Sequence, residues 1–231
     1  MNNNRPHETK FILLSNLKAL KNIPDVHFSE NDKLWIIPVC CMAKTVTDHA
    51  SFEAFFLMDG GEGMSDRKIL LDKGAEQTNI ATLNYYDVID DECIQNIISS
   101  QCIIFTGGRM ELGLERMRKV GLDRALQNYS GIVIGVSAGA LMLFSEYIIT
   151  PNRYYKNLEI CEGLGYIDGE EIMIEVHFTE DDLLQVQCVE LTCDSRKQTV
   201  HAIREEGYMM VQNNGIISCN GVREFVAGKD G

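Results

Sequence analysis

A chain of 231 residues, 45% apolar and 24% charged, can build one substantial α/β domain and is too ordinary in composition to be fibrous or disordered. A formal net charge of −13 removes nucleic acid from the expected partners, because phosphate binding needs a basic face. Membrane insertion and secretion are not expected: no run nears the roughly 18 apolar residues of a span, and MNNNRPHETKFILLS lacks both an apolar signal core and a cleavage site.

FILL, Phe11 to Leu14, opens the chain as an apolar strand. LWIIPVCC, Leu34 to Cys41, is a second, its pairing ended at Pro38, which has no N–H to give. TDHASFEAFF begins a helix, DGGEG (Asp59 to Gly63) breaks it, and SDRKILLDKG forms another stopped by Gly74. ATLNYYD reads as a strand and DDECIQNIISS as a helix. CIIF, Cys102 to Phe105, is a short buried strand running into Thr106-Gly107-Gly108. ELGLERMRKVG is a helix closed by Gly121, LDRALQN a shorter one, and Ile132 to Ile134 the next strand.

Beyond Thr150 the pattern changes. EIMIEVHF, Glu171 to Phe178, alternates like a half-exposed strand, and TEDDLLQVQCVEL is helical with Thr179 and Asp182 spaced as a capping pair. YMMVQNNGIISCNGVREFVAG reads as short strands joined at Asn214-Gly215 and Asn220-Gly221, an antiparallel meander. Strands alternating with helices predict a mostly parallel central sheet with helices on both faces, followed by C-terminal antiparallel strands, in one domain over 1–231. The eight cysteines sit mostly in apolar runs and include no Cys-x-x-Cys pair, so reduced thiols in a cytoplasmic protein without a zinc site are expected.

The stretch GIVIGVSAGALML holds the clearest chemical signal. Gly135-Val136-Ser137-Ala138-Gly139 fits G-x-S-x-G, a strand-to-helix bend so tight that side chains at either glycine would collide. Such a bend lifts Ser137 above the C-terminal edge of the sheet, where open α/β folds bind ligands. The helix that follows, Ala138 to Phe144, aims its free N–H groups at the same spot. A serine here can also do no more than cap that helix.

As a nucleophile the serine needs a base. Of the five histidines, His7 lies in a polar tail, His49 in a polar helix start and His201 within a strand, TVHAI. His27 stands in DVHFSEND, an echo of EVHFTEDD with no strand ahead of it. His177 emerges from a strand end, the rigid platform catalysis demands, and is the candidate base. Thirty-four carboxylates leave the third member open on composition alone. Gly107-Gly108, after a buried strand, would let backbone N–H groups approach a substrate.

IIFTGGRMELGLERMRKVGLDRALQN, GIVIGVSAGALML, EGLGYI and VHF, in that order between Gln101 and Val226, resemble the dipeptidase E (aspartyl dipeptidase) family and its relative cyanophycinase. The resemblance implies a flavodoxin-like fold of the class I glutamine amidotransferase kind and a Ser-His-Glu triad in that chain order. Ser137 matches the nucleophile and His177 the base. Ungapped matching of TVHAIREEGYMMV puts the acid on Glu205, and a one-residue shift gives Glu206. Gly108 and Ala138 match the oxyanion-hole positions. The implied reaction is hydrolysis of a short peptide or isopeptide through an acyl-enzyme, with no metal or organic cofactor and a small peptide as partner. A homodimer is compatible with the sequence, which selects neither it nor a monomer.

Two departures stand out. The family's Gly-Gly-Asn reads Gly107-Gly108-Arg109, making Arg109 a candidate to hold a substrate carboxylate. Where aspartyl-binding members carry arginines after the His-Phe pair, this chain has the acidic TEDDLLQVQCVELTCDSRK, with Arg196 arriving late. Two other readings compete: an α/β-hydrolase esterase in the order Ser, acid, His, using Asp181 or Asp182 and His201, and a non-catalytic binding protein on the same scaffold.

Overall fold

The computed structural model describes residues 9–170 and 172–228, so His7 and Glu171 lie outside the described residues. In chain order the strands are β1 (Lys10–Leu14), β2 (Leu34–Ile37), β3 (Ile80–Thr82), β4 (Cys102–Phe105), β5 (Ile132–Val136), β6 (Glu146–Ile149), β7 (Glu159–Glu162), β8 (Met173–Phe178), β9 (Val200–Gln212) and β10 (Gly215–Phe225). The helices are α1 (His49–Phe56), α2 (Met64–Asp72), α3 (Asp91–Ile98), α4 (Met110–Val120), α5 (Leu122–Ala125), α6 (Ala138–Leu141) and α7 (Leu183–Arg196). A 3-10 turn at Leu17–Asn22 follows β1.

Among the described residues, eight strands form the main sheet in the order β10-β9-β1-β5-β4-β2-β3, with β8 also paired to β9. β1, β5, β4, β2 and β3 run parallel, and β9 joins β1 antiparallel. Period-two alternation assigns the strand residues to two cores. Phe11, Leu13, Ile103, Phe105 and Val133 face the layer holding α3, α4 and α6. Ile12, Leu14, Ile104, Ile134 and Val136 face the layer of α2 and the turn after β1. The expected architecture, a mostly parallel sheet covered on both faces and followed by antiparallel strands, is the one observed. No helix of the described residues is long and apolar enough to cross a membrane.

Several local expectations fail for identifiable reasons. β3 ends at Thr82 because Asn84 closes a side-chain turn onto the Tyr86 N–H. α6 is one turn rather than running to Phe144, because the Leu143 carbonyl accepts from Tyr166 and Ile167 and Phe144 bridges to Ile167. α7 starts later than the Thr179–Asp182 spacing suggests. Its N-cap is Asp182, whose carboxylate accepts from the Leu184 and Gln185 N–H groups.

The C-terminal meander is one long hairpin. β9 turns at Asn213-Asn214 into β10, and Asn220-Gly221 is not a turn but a point within β10 where residues 204–207 of β9 bulge opposite Gly221. There Gly207 and Gly221 meet closely enough that a Cβ on Gly207 would lie 2.5 Å from the Gly221 carbonyl oxygen and 3.0 Å from that of Asn220. Both obstacles are backbone, so Gly207→Ala should lower the unfolding free energy by about 1–3 kcal/mol. Gly215→Ala, whose Cβ would make an ordinary 3.5 Å contact, should change it by less than about 0.5 kcal/mol. Urea denaturation of the two variants tests the contrast.

Candidate active site

β5 delivers Ser137 at the C-terminal edge of the sheet, between the ends of β1 and β4. The bend holds Ser137 at φ 54°, ψ −120°, a left-handed backbone costly for any residue with a Cβ. The glycines around it have no room to be anything else: a Cβ on Gly135 would lie 2.6 Å from the Ala140 Cα, and one on Gly139 would lie 2.7 Å from the Phe105 carbonyl carbon. Ser137 occupies the N-cap of α6, yet its hydroxyl makes no capping bond. Its Oγ lies instead 2.9 Å from His177 Nε2.

His177 reaches Ser137 because β8 is irregular. Glu175 pairs with Ala202 and Phe178 with Arg204, so two residues of β8 oppose one of β9. This bulge places His177 at φ 53° and turns it outward while its neighbours stay buried. The strand is therefore buried except at His177, not half-exposed by alternation. The other ring nitrogen, Nδ1, lies 2.6 Å from Glu205 Oε2. Glu205 stands where the β9 edge passes from pairing β8 to pairing β1. The carboxylate accepts the Nδ1 proton, which leaves Nε2 free to accept from Ser137 Oγ.

Three consecutive residues at the end of β1 anchor all three groups. The Leu14 carbonyl accepts from the Ser137 N–H at 2.7 Å. Ser15 Oγ accepts from the His177 N–H at 2.8 Å and donates to the Ile203 carbonyl at 2.9 Å. Asn16 Nδ2 donates to Glu205 Oε1 at 2.9 Å. Partial burial works to raise the Glu205 carboxyl, but the hydrogen bonds from His177 and Asn16 and the charges of His177 and Lys18 outweigh it and hold the group below its ordinary value. These anchors were not singled out from the sequence. Their only signal is that polar Ser15-Asn16 ends an apolar strand.

A cavity of about 550 Å³ opens beside the serine, lined among others by Gly108, Ser137, Ala138 and His177. Gly108 has φ 140°, and a Cβ there would run into the Cys40 carbonyl. Ala138 is the first residue of α6, so its N–H has no acceptor within the helix. Arg109 does not line this cavity: its guanidinium pairs with Glu111 at 3.2 Å and lies over the Tyr155 ring. Arg196 pairs with Glu146 at 2.8 Å, also away from the cavity. The arginine that does line it is Arg153, stacked 4.5 Å over the Tyr154 ring. His201, the base of the esterase reading, is buried on β9 3.6 Å from Glu224 and does not line the cavity. Asp182 lines it but also caps α7, and Glu206 accepts from Asn22 through its main-chain carbonyl. Among the described residues no group of three or more His, Cys, Asp or Glu side chains is arranged to hold a metal ion.

Two solved structures share this architecture. A candidate peptidase E protein from Listeria monocytogenes EGD-e superposes with a TM-score of 0.62 at 15% identity, covering 94% of this chain and 99% of its own. A peptidase from an acI-B1 actinobacterium does so with a TM-score of 0.59 at 14% identity, covering 96% of each chain. The chain has a peptidase E-like fold. No protein-family model and no curated protein sequence matches it.

One buried carboxyl in the cavity wall has a measurable signature. Burial pushes Glu175 up to about 7, opposed by hydrogen bonds from Gln185 and Thr150 and assisted by the charge of Asp182. A folded-state value above the unfolded one means the folded protein keeps a proton that the unfolded chain has lost. The stabilisation is thus full below the ordinary value of 4.5 and is lost as pH rises through 7. The loss at pH 8 is on the order of 3 kcal/mol. Glu175→Gln can still accept both bonds, so it should gain on wild type by that order between pH 5 and pH 8 in denaturant titrations. A pH-independent difference would contradict a neutral buried carboxyl.

Proposed function

We propose that the protein is a serine hydrolase of the peptidase E type that cleaves short peptide or isopeptide bonds. The observation carrying this reading is the continuous hydrogen-bonded line from Glu205 through His177 to a strained Ser137. A serine left to cap a helix would not need an imidazole at 2.9 Å, nor that imidazole a carboxylate at 2.6 Å. The peptidase E-like fold supports the same reaction class.

In the reaction, Ser137 Oγ attacks the scissile carbonyl while His177 Nε2 takes its proton. Glu205 orients the ring and stabilises the imidazolium that forms. The carbonyl oxygen, now carrying the negative charge, is received by the Gly108 and Ala138 N–H groups. His177 returns the proton to the departing amine as the C–N bond breaks. Water then attacks the acyl-enzyme, giving up a proton to His177, and Ser137 leaves with that proton.

A fluorophosphonate probe should label the wild-type protein at Ser137, and Ser137→Ala should abolish both labelling and hydrolysis of a dipeptide library. His177→Ala should do the same, whereas the esterase reading requires the loss at His201. Glu205→Gln should lower kcat by on the order of 10²- to 10⁴-fold, with Glu206→Gln close to wild type. Folded wild-type protein that neither labels nor turns over any substrate would overturn the proposal in favour of a binding protein.

A further inference from the structure

The cavity wall contains a carboxylate that the hydrolytic line does not use. Glu175 lies two residues before His177 on β8, is only 4% exposed, and lines the same cavity as Ser137. Thr150 Oγ1 and Gln185 Nε2 both donate to its Oε1, each at 2.8 Å. Oε2 has no hydrogen-bond partner among the described residues, and it is not sealed from the cavity. A tie between Thr150, β8 and α7 needs only one acceptor, and a glutamine would supply it without a buried charge. A buried carboxyl in a cavity wall with one oxygen unbonded is a group that can receive a donor.

The surrounding charges indicate which donor. Asp182 lines the cavity with its carboxylate on the α7 N-terminus, adding a second negative group. The cavity's cationic groups are both engaged: His177 with Glu205, and Arg153, exposed, stacked on Tyr154. Above pH 7, where Glu175 ionises, an acidic substrate side chain brought against it would meet like charge. An ammonium or guanidinium would instead favour the ionised form and find a buried carboxylate with one oxygen free.

We infer that this cavity selects substrates bearing a cationic nitrogen, an α-ammonium or a basic side chain, and that Glu175 is the residue receiving it. The inference rests on the hydrolase reading for its substrate but not for its binding geometry. It runs against the aspartyl preference that the sequence resemblance carries.

Binding to Ser137→Ala protein separates the two. Four dipeptides are titrated calorimetrically at pH 8: N-acetyl-lysyl-alanine, norleucyl-alanine with a free α-ammonium, N-acetyl-norleucyl-alanine with no cation, and N-acetyl-glutamyl-alanine. At least one of the two cationic ligands should bind about tenfold or more tighter than the uncharged one, and the acidic one should bind most weakly. Which of the two leads identifies the source of the nitrogen. Adding Glu175→Gln should collapse the cationic advantage to near parity. Equal binding of all four, tightest binding of the glutamyl ligand, or an advantage that survives Glu175→Gln would each overturn the assignment. The four-ligand comparison on Glu175-containing protein decides the matter even where the double variant does not fold. Fluorophosphonate labelling of the wild type reports separately on the hydrolase reading.

Discussion

The 2.9 Å contact between Ser137 Oγ and His177 Nε2 joins two side chains that are both carried on left-handed backbone, at φ 54° and 53°. Neither is a glycine, so each position costs on the order of 1–3 kcal/mol that other interactions must offset. For Ser137 the compensation is the bond to the Leu14 carbonyl and a bend that only Gly135 and Gly139 can fit. For His177 it is the Ser15 hydroxyl, which takes the N–H that the β8 bulge removes from the ladder. Both supports come from adjacent residues, Leu14 at the end of β1 and Ser15 just past it, and Asn16 extends them to Glu205. The end of one central strand thus fixes three side chains drawn from β5, β8 and β9, which lie far apart in sequence.

That dependence explains what the sequence could and could not disclose. Ser137 was legible because its bend has a local pattern: two glycines, a buried strand before and a helix after. The parallel sheet was legible for a similar reason, since the short apolar runs of β1, β4 and β5 are separated by helical segments. His177 was legible only as a histidine at a strand end. The bulge that turns it toward Ser137 is a property of how β8 registers against β9, and nothing in EIMIEVHF marks it. Register also misled at the C-terminus. Asn220-Gly221 has the composition of a two-residue turn, but Asn220 pairs with Tyr208 and Val222 with Ile203, so the hairpin continues through it while residues 204–207 of β9 bulge out, with Gly207 packed on Gly221. The choice between Glu205 and Glu206 required the same knowledge, because both lie in that irregular stretch of β9. In the structure Glu205 is the one that meets His177.

Arginines illustrate a different limit. Arg109 follows the Gly-Gly pair in sequence, which places its backbone near the serine. Its side chain is nevertheless held by Glu111 and Tyr155, outside the cavity. Arg153, in a loop with no motif around it, reaches the cavity wall instead. A main-chain position next to a site fixes an N–H but not the direction of a long flexible side chain. That is why glycine and alanine positions carry over from a motif more safely than charged ones do.

The elements that hold Ser137, His177 and Glu205 are largely not the ones that carry Thr150 and Gln185 in the cavity wall. Leu14, Ser15 and Asn16 on one side of the molecule set the Ser137–His177–Glu205 geometry, whereas Thr150 follows β6 and Gln185 belongs to α7. β8 is the shared part: on it His177 turns out to the serine while Glu175 stays buried with Thr150 and Gln185. Changes in α7 or the β6 end can therefore alter the polarity of the wall without moving a backbone atom that the strained residues depend on. A scaffold arranged this way lets the wall change while the strained centre keeps its own packing. An acidic wall beside an intact serine-histidine-glutamate line is one outcome such an arrangement allows.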